Sequence, residues 1–102
     1  MKFCIYWPYH EGCKFDHEYY VKKHLPMAQK KIGACVTKIS CDAGMPSPTG
    51  EPPKYTAVGY LYFNDMQAFL TGLGAIAAEM GADIPNFTDI TNGFNELSNE
   101  IL

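Results

Sequence analysis

Arginine is absent from this sequence: all eight basic residues are lysines, set against eleven acidic ones for a net charge of −3. Recognition of phosphate and guanine leans on the planar guanidinium fork and on a basic face, so no nucleic-acid partner is expected. Long hydrophobic runs are missing as well. The amino-terminal KFCIYWPY is interrupted by Pro8 and followed by His10 and Glu11, which leaves neither a leader core nor a membrane span. The expectation is a cytoplasmic protein with no membrane partner. Its four cysteines form no Cys-x-x-Cys pair, and His10 near Cys13 is the one close mixed pair, so no metal site is expected. Reduced thiols in that compartment pack as small hydrophobes. The signature of disorder is lacking too, because 47% of the residues are apolar and 19% charged. A chain of 102 residues is then expected to form one domain, residues 1–102.

The elements follow from local pattern. Residues 2–9 are β-branched and aromatic on both faces and predict a central strand. Asp16 predicts the cap of a helix over His17 to about Lys31, with Glu18 in the favoured first turn and Lys22, Lys23, Lys30 and Lys31 on a solvated side. Pro26 predicts a kink, or a break after Leu25, because it lacks the amide donor and crowds the preceding turn. Ala34–Asp42 reads as a second strand with Cys35, Thr37, Ile39 and Cys41 on one side and Val36, Lys38 and Ser40 on the other. The Pro- and Gly-rich residues 43–54 predict a mobile loop.

Tyr55–Phe63 is a third strand, with Tyr55, Ala57, Gly59, Leu61 and Phe63 alternating against Thr56, Val58, Tyr60 and Tyr62. Asn64 and Gln67 suggest a capping box for a second helix striped by Met66, Phe69, Leu70, Leu73, Ile76, Ala77 and Met80 and stopped by Gly81. Its internal Gly72 and Gly74 suggest close packing against a neighbour. A turn at Asp83–Asn86 precedes a last strand within Phe87–Leu97.

This order is that of an α+β ferredoxin-like βαββαβ domain, a four-stranded antiparallel sheet with two helices on one face. Strands one and three are apolar or aromatic on both sides, so the other sheet face needs a protein cover, and a homodimer through that face is the simplest source. On the first helix the spacing sets Tyr20, His24, Met27 and His17 on the side opposite Lys22 and Gln29, looking towards the sheet. An inward His with a Tyr one turn away fits the checklist for a catalytic pocket and equally a hydrogen-bonded core. Tyr6, Tyr60 and Tyr62 either line the same cleft or fill buried space.

The segments FDHEYYVKKHLP (15–26), PPKYTAVGYLYFND (52–65) and DIPNF (83–87) resemble the successive motifs of the EthD family. That resemblance implies a dimeric α+β barrel, in which two such protomers join their sheets, and a small organic ligand held between helices and sheet. It marks Tyr20 and His24 as catalytic candidates and adds Asn86 and Phe87 to the ligand-binding candidates Tyr6, Tyr60, Tyr62 and Met27. No cofactor is implied. Barrels of this kind include cofactor-independent isomerases, cyclases, decarboxylases and monooxygenases, so an enzyme on a small hydrophobic or aromatic compound and a non-catalytic dimeric binding module both stay open. A haem-binding barrel is disfavoured, since no Arg is present for the propionates.

Overall fold

The computed structural model describes residues 1–102. β1 (Lys2–Pro8), β2 (Val36–Ala43), β3 (Tyr55–Phe63) and β4 (Phe94–Ser98) form one sheet in the order β2-β3-β1-β4, with every neighbouring pair antiparallel. Two helical runs cross one face of it. The first comprises α1 (His17–Tyr19), a π-helical segment (Tyr20–His24) and α2 (Leu25–Ile32); the second is α3 (Met66–Asp83), followed by a 3-10 turn at Ile84–Asn86. The fold is therefore the α+β, ferredoxin-like arrangement, and no helix is long and apolar enough to cross a membrane.

The first helical run starts where its cap places it, with the Asp16 carboxylate accepting from the Tyr19 amide at 3.0 Å. Pro26 does not break the path, which stays helical from His17 to Ile32. With no N–H to give the Lys22 carbonyl and a ring that would crowd it, the proline is preceded by a wider π turn, in which the Leu25 amide donates to the Tyr20 carbonyl five residues back. The helix then resumes at Leu25, one residue before the proline, and ends at Gly33, whose φ of 104° suits only glycine.

Four further expectations are corrected. A bulge opposes Val36 and Thr37 to Phe63 alone, so Val36 turns to the core on the same side as Ile39 and Cys41. A second bulge beside Pro8 turns Tyr55 away from Ala57, to lie tilted against Tyr6 on the opposite face with ring centroids 5.0 Å apart. The cap of α3 is Asp65, which accepts from the Ala68 amide at 2.9 Å, rather than Asn64. Both residues can cap, and the one that does is the one left extended by the end of β3. Gly81 does not stop α3, which runs on to Asp83 because Pro85 tolerates a position just inside the following turn.

Residues 43–54 hold some order of their own. Ser47 accepts from the Gly50 and Glu51 amides through its carbonyl and hydroxyl, and Gly44 donates to Thr56 at 2.9 Å. The core lies between helices and sheet, where Phe69 is fully buried and stacked on Phe63 at 4.2 Å. Gly72 lets α3 approach α2 closely: a Cβ there would meet the Ile32 side chain at 3.0 Å, whereas one at Gly74 would meet nothing.

Candidate active site

β1 alternates between two environments. Phe3, Ile5 and Trp7 look to the helices, whereas Lys2, Cys4 and Tyr6 look away from them. On the helix side the Trp7 indole N–H donates to the Tyr20 hydroxyl at 3.1 Å, and that hydroxyl rests directly over Gly59. A residue with a Cβ at 59 would displace it. Tyr20 is wholly buried, and burial holds its phenol well above the ordinary range, so it does not ionise.

The π turn keeps His24 above Tyr20. Their rings stack at 5.4 Å with planes 17° apart, and Phe87 closes on the imidazole at 4.5 Å. His24 is 5% exposed, and its Nδ1 donates to the Asp83 carboxylate at 2.7 Å. Burial lowers the His24 pKa below its ordinary 6.5, and the opposing pull of Asp83 does not reverse it. At neutral pH the pair is thus a neutral ring on a carboxylate, not an ion pair. Asp83 is itself desolvated, yet hydrogen bonds from His24, Asn86 and Tyr19 together hold its carboxyl below the usual range. The Tyr19 hydroxyl donates at 2.7 Å and the Asn86 amide at 2.9 Å, both to Oδ1.

This anchoring decides where the basic nitrogen points. Every buried side-chain nitrogen and oxygen in the protein has a partner, and Nε2 of His24 makes no hydrogen bond. Nε2 is therefore not sealed in the core. His24 helps to wall a cavity of about 540 Å³ between helices and sheet, together with Trp7, Leu61, Met80 and Ile90 among others. With Nδ1–H fixed on Asp83, the lone pair at Nε2 is free to accept a proton. No cluster of three or more His, Cys, Asp or Glu side chains is grouped to hold a metal ion.

Of the residues singled out from sequence, His24 lines the cavity and Tyr20 packs behind it, holding His24 and Trp7. Phe87 is buried against His24, and Asn86 is exposed and braces Asp83. Met27 is half-buried on α2 and lies outside the cavity wall. Tyr6, Tyr60 and Tyr62 lie on the opposite face of the sheet, where Tyr6 stacks on Phe94 at 4.9 Å and the Tyr60 hydroxyl donates to Asp42 at 2.8 Å. Sequence reasoning missed Asp83 and Trp7 as parts of the site. One local signal pointed to Asp83: a carboxylate in the last turn of a helix opposes the macrodipole and needs another reason to be there.

A family model described as the EthD domain matches residues 14–91. No curated protein matches the sequence. Among solved structures, an EthD-like protein from Ralstonia eutropha JMP134 is 30% identical, with a TM-score of 0.83 over 93% of this chain and 87% of its own. An EthD family protein from Bacillus halodurans C-125 is 16% identical, with a TM-score of 0.60 over 96% of this chain and 97% of that one. HapK from Hahella chejuensis is 13% identical, with a TM-score of 0.52 over 100% and 98%. The last two show the shared fold alone.

Proposed function

The chain belongs to the EthD family, and from that premise we propose that it binds a small hydrophobic or aromatic compound in the helix–sheet cavity and performs cofactor-independent proton transfer on it. His24 is the proton acceptor. Tyr20 keeps the ring upright by stacking and Asp83 holds its Nδ1–H. The observation that carries the reading is the pairing of a neutral, carboxylate-anchored imidazole with an apolar cavity. A histidine that only tied helix to sheet would need no reachable nitrogen, whereas Nε2 of His24 takes no protein partner and is not sealed in the core.

In the same reading the protein is a cytoplasmic homodimer. Its four cysteines are all free, as suits a reducing compartment. The sheet face without helices carries Tyr6, Tyr55, Tyr60, Tyr62 and Phe94, an aromatic surface that a second copy would cover. Light scattering after size exclusion checks this, and a monomeric mass at micromolar concentration would remove the barrel from the proposal.

The catalytic claim can be tested with 5-nitrobenzisoxazole, an uncharged carbon acid that opens to a coloured phenolate when a base takes its ring proton and the N–O bond breaks. The protein should accelerate the opening over buffer. His24→Gln keeps a polar, hydrogen-bonding side chain but no useful basicity, and should lose at least about tenfold, below the usual 10² to 10⁴ of acid/base catalysis. An unchanged rate in a folded His24→Gln would assign the base elsewhere. An unfolded variant would make His24 a structural residue.

A further inference from the structure

The cavity wall contains no charged side chain. Its polar groups are His24, Thr91 and Asn95 in an otherwise apolar surface, to which Gly81 and Gly93 add backbone. The nearest charge is negative and stands behind His24, where the Asp83 carboxylate holds Nδ1 at 2.7 Å. A carboxylate or phosphate entering here would meet no cation, an imidazole that is not protonated at neutral pH, and a fixed anion behind it. Leaving a buried charge unpaired is among the more costly changes in a protein. Nε2, by contrast, presents a lone pair and so rewards a donor. An O–H directed at it gains a hydrogen bond, whereas an ether oxygen in the same place opposes one lone pair to another.

We infer that the site selects an uncharged, largely hydrocarbon molecule of about one or two rings that offers a weakly acidic hydrogen, as a phenol, enol or activated C–H, to Nε2 of His24. Asp83 is the positioning residue that enforces this. As a carboxylate it can only accept, so it commits the proton to Nδ1 and the lone pair to the cavity; an amide in its place could accept or donate and would leave the tautomer undecided. The inference rests on the cavity being the ligand site.

Trp7 is the one tryptophan of the chain and stands in the cavity wall, so its emission reports occupancy directly. Three probes of similar shape separate the arms at pH 7.5: 4-ethylphenol, its methyl ether 4-ethylanisole, and 4-ethylbenzoate. The phenol should bind about 3- to 10-fold more tightly than the ether, the worth of one net hydrogen bond. It should bind at least about tenfold more tightly than the carboxylate. In Asp83→Asn the phenol-to-ether ratio should fall towards one, because a ring that carries its proton on Nε2 can donate to the ether oxygen as well, and continued binding of the ether shows the cavity intact. Ala77→Phe, which fills the cavity from α3, should remove all three responses.

Carboxylate binding equal to that of the phenol would overturn the selection for uncharged molecules and leave the proton-transfer reading standing on the benzisoxazole rate. A phenol-to-ether ratio unchanged in Asp83→Asn would overturn the role given to Asp83. No response to any probe would overturn the inference together with the cavity reading beneath it.

Discussion

The two faces of the sheet are built from the same strands and do opposite things with their aromatic residues. Facing the helices, the strands present Phe3, Trp7 and Phe63, rings without a hydroxyl, packed in one hydrophobic core. Facing away, they present Tyr6, Tyr55, Tyr60 and Tyr62, with Lys2 over the rings of Tyr60 and Tyr62 and Lys38 over that of Tyr62 at 5.1 to 5.7 Å. A buried phenol needs a partner. The dry face therefore tolerates phenols only where the first helical run supplies them already paired, Tyr20 to Trp7 and Tyr19 to Asp83. The strand tyrosines gather where water or another surface can reach them. In such a sheet, hydroxyl-free against hydroxyl-bearing aromatics sorts the helix side from the open side.

The largest test of that division adds a methyl group to the dry face. Gly59 lies under the Tyr20 hydroxyl, and a Cβ there would collide with that oxygen and stand 3.0 Å from two ring carbons. Gly59→Ala should lower stability in urea unfolding by up to about 3 kcal/mol, the upper end of overpacking costs. Removing the hydroxyl as well should recover part of it, so Gly59→Ala in a Tyr20→Phe background is expected to be less destabilised than the sum of the single changes. Strict additivity would mean that the two residues do not meet.

A charge on the open face should spare the fold and disturb assembly. Tyr6 stacks on Phe94 and lies tilted against Tyr55, and Tyr6→Glu is expected to weaken the proposed dimer by at least about 30-fold, as for loss of an interface hot spot of about 2 kcal/mol. The Trp7 response to 4-ethylphenol should persist in the monomer. A dimer of unchanged affinity would move the interface off this face.

Much of this division is legible in sequence, and what is not has a physical reason. The alternation of β3 separates Leu61 and Phe63 from Tyr60 and Tyr62, because a strand assigns faces by parity alone. Parity does not say which face the helices cover, and so Tyr6, Tyr60 and Tyr62 could be read as lining the cleft as well as filling buried space. Nor does it survive a bulge: one extra residue at Thr37 and another beside Tyr55 each move a neighbour across the sheet. On the first helical run, spacing sets Tyr20 and His24 on one side, and the rings indeed stack. The anchor of His24 is Asp83, 59 positions away, and only the packed fold brings the two together.

Acid should act on the helix side before the open side. An unfolded His takes up its proton near pH 6.5, whereas His24 in the folded protein resists it because burial lowers its pKa. Below pH 6.5 the unfolded chain then binds more protons than the folded one, so stability falls as pH is lowered through that window, and Asp83, also held low, adds to the loss as it protonates. His24→Gln should lose less stability than the parent between pH 7 and pH 5. On the open face burial raises the phenols of Tyr6 and Tyr60, so their contribution is lost only as pH rises above 10. Equal acid sensitivity in parent and His24→Gln would detach the effect from the buried imidazole.

The smallest expected effect tests the same contrast between a packed and an open side, on the helical layer. Gly72 and Gly74 lie two residues apart in α3, and each gives up roughly 0.5 to 1 kcal/mol of helix stability relative to alanine. At Gly74 nothing lies within 4 Å of an added Cβ, so Gly74→Ala should recover that amount as a small rise in the urea midpoint. At Gly72 the same methyl group would press on Ile32 at 3.0 Å, where α3 crosses α2. The Ile32 side chain must then yield by a few tenths of an ångström in a packed interface, and the strain should cancel the gain in propensity. Gly72→Ala is thus expected to be neutral or slightly destabilising beside a stabilising Gly74→Ala. If both stabilise alike, the contact between the helices is looser than 3.0 Å implies, and the glycine at 72 is there for some reason other than close approach.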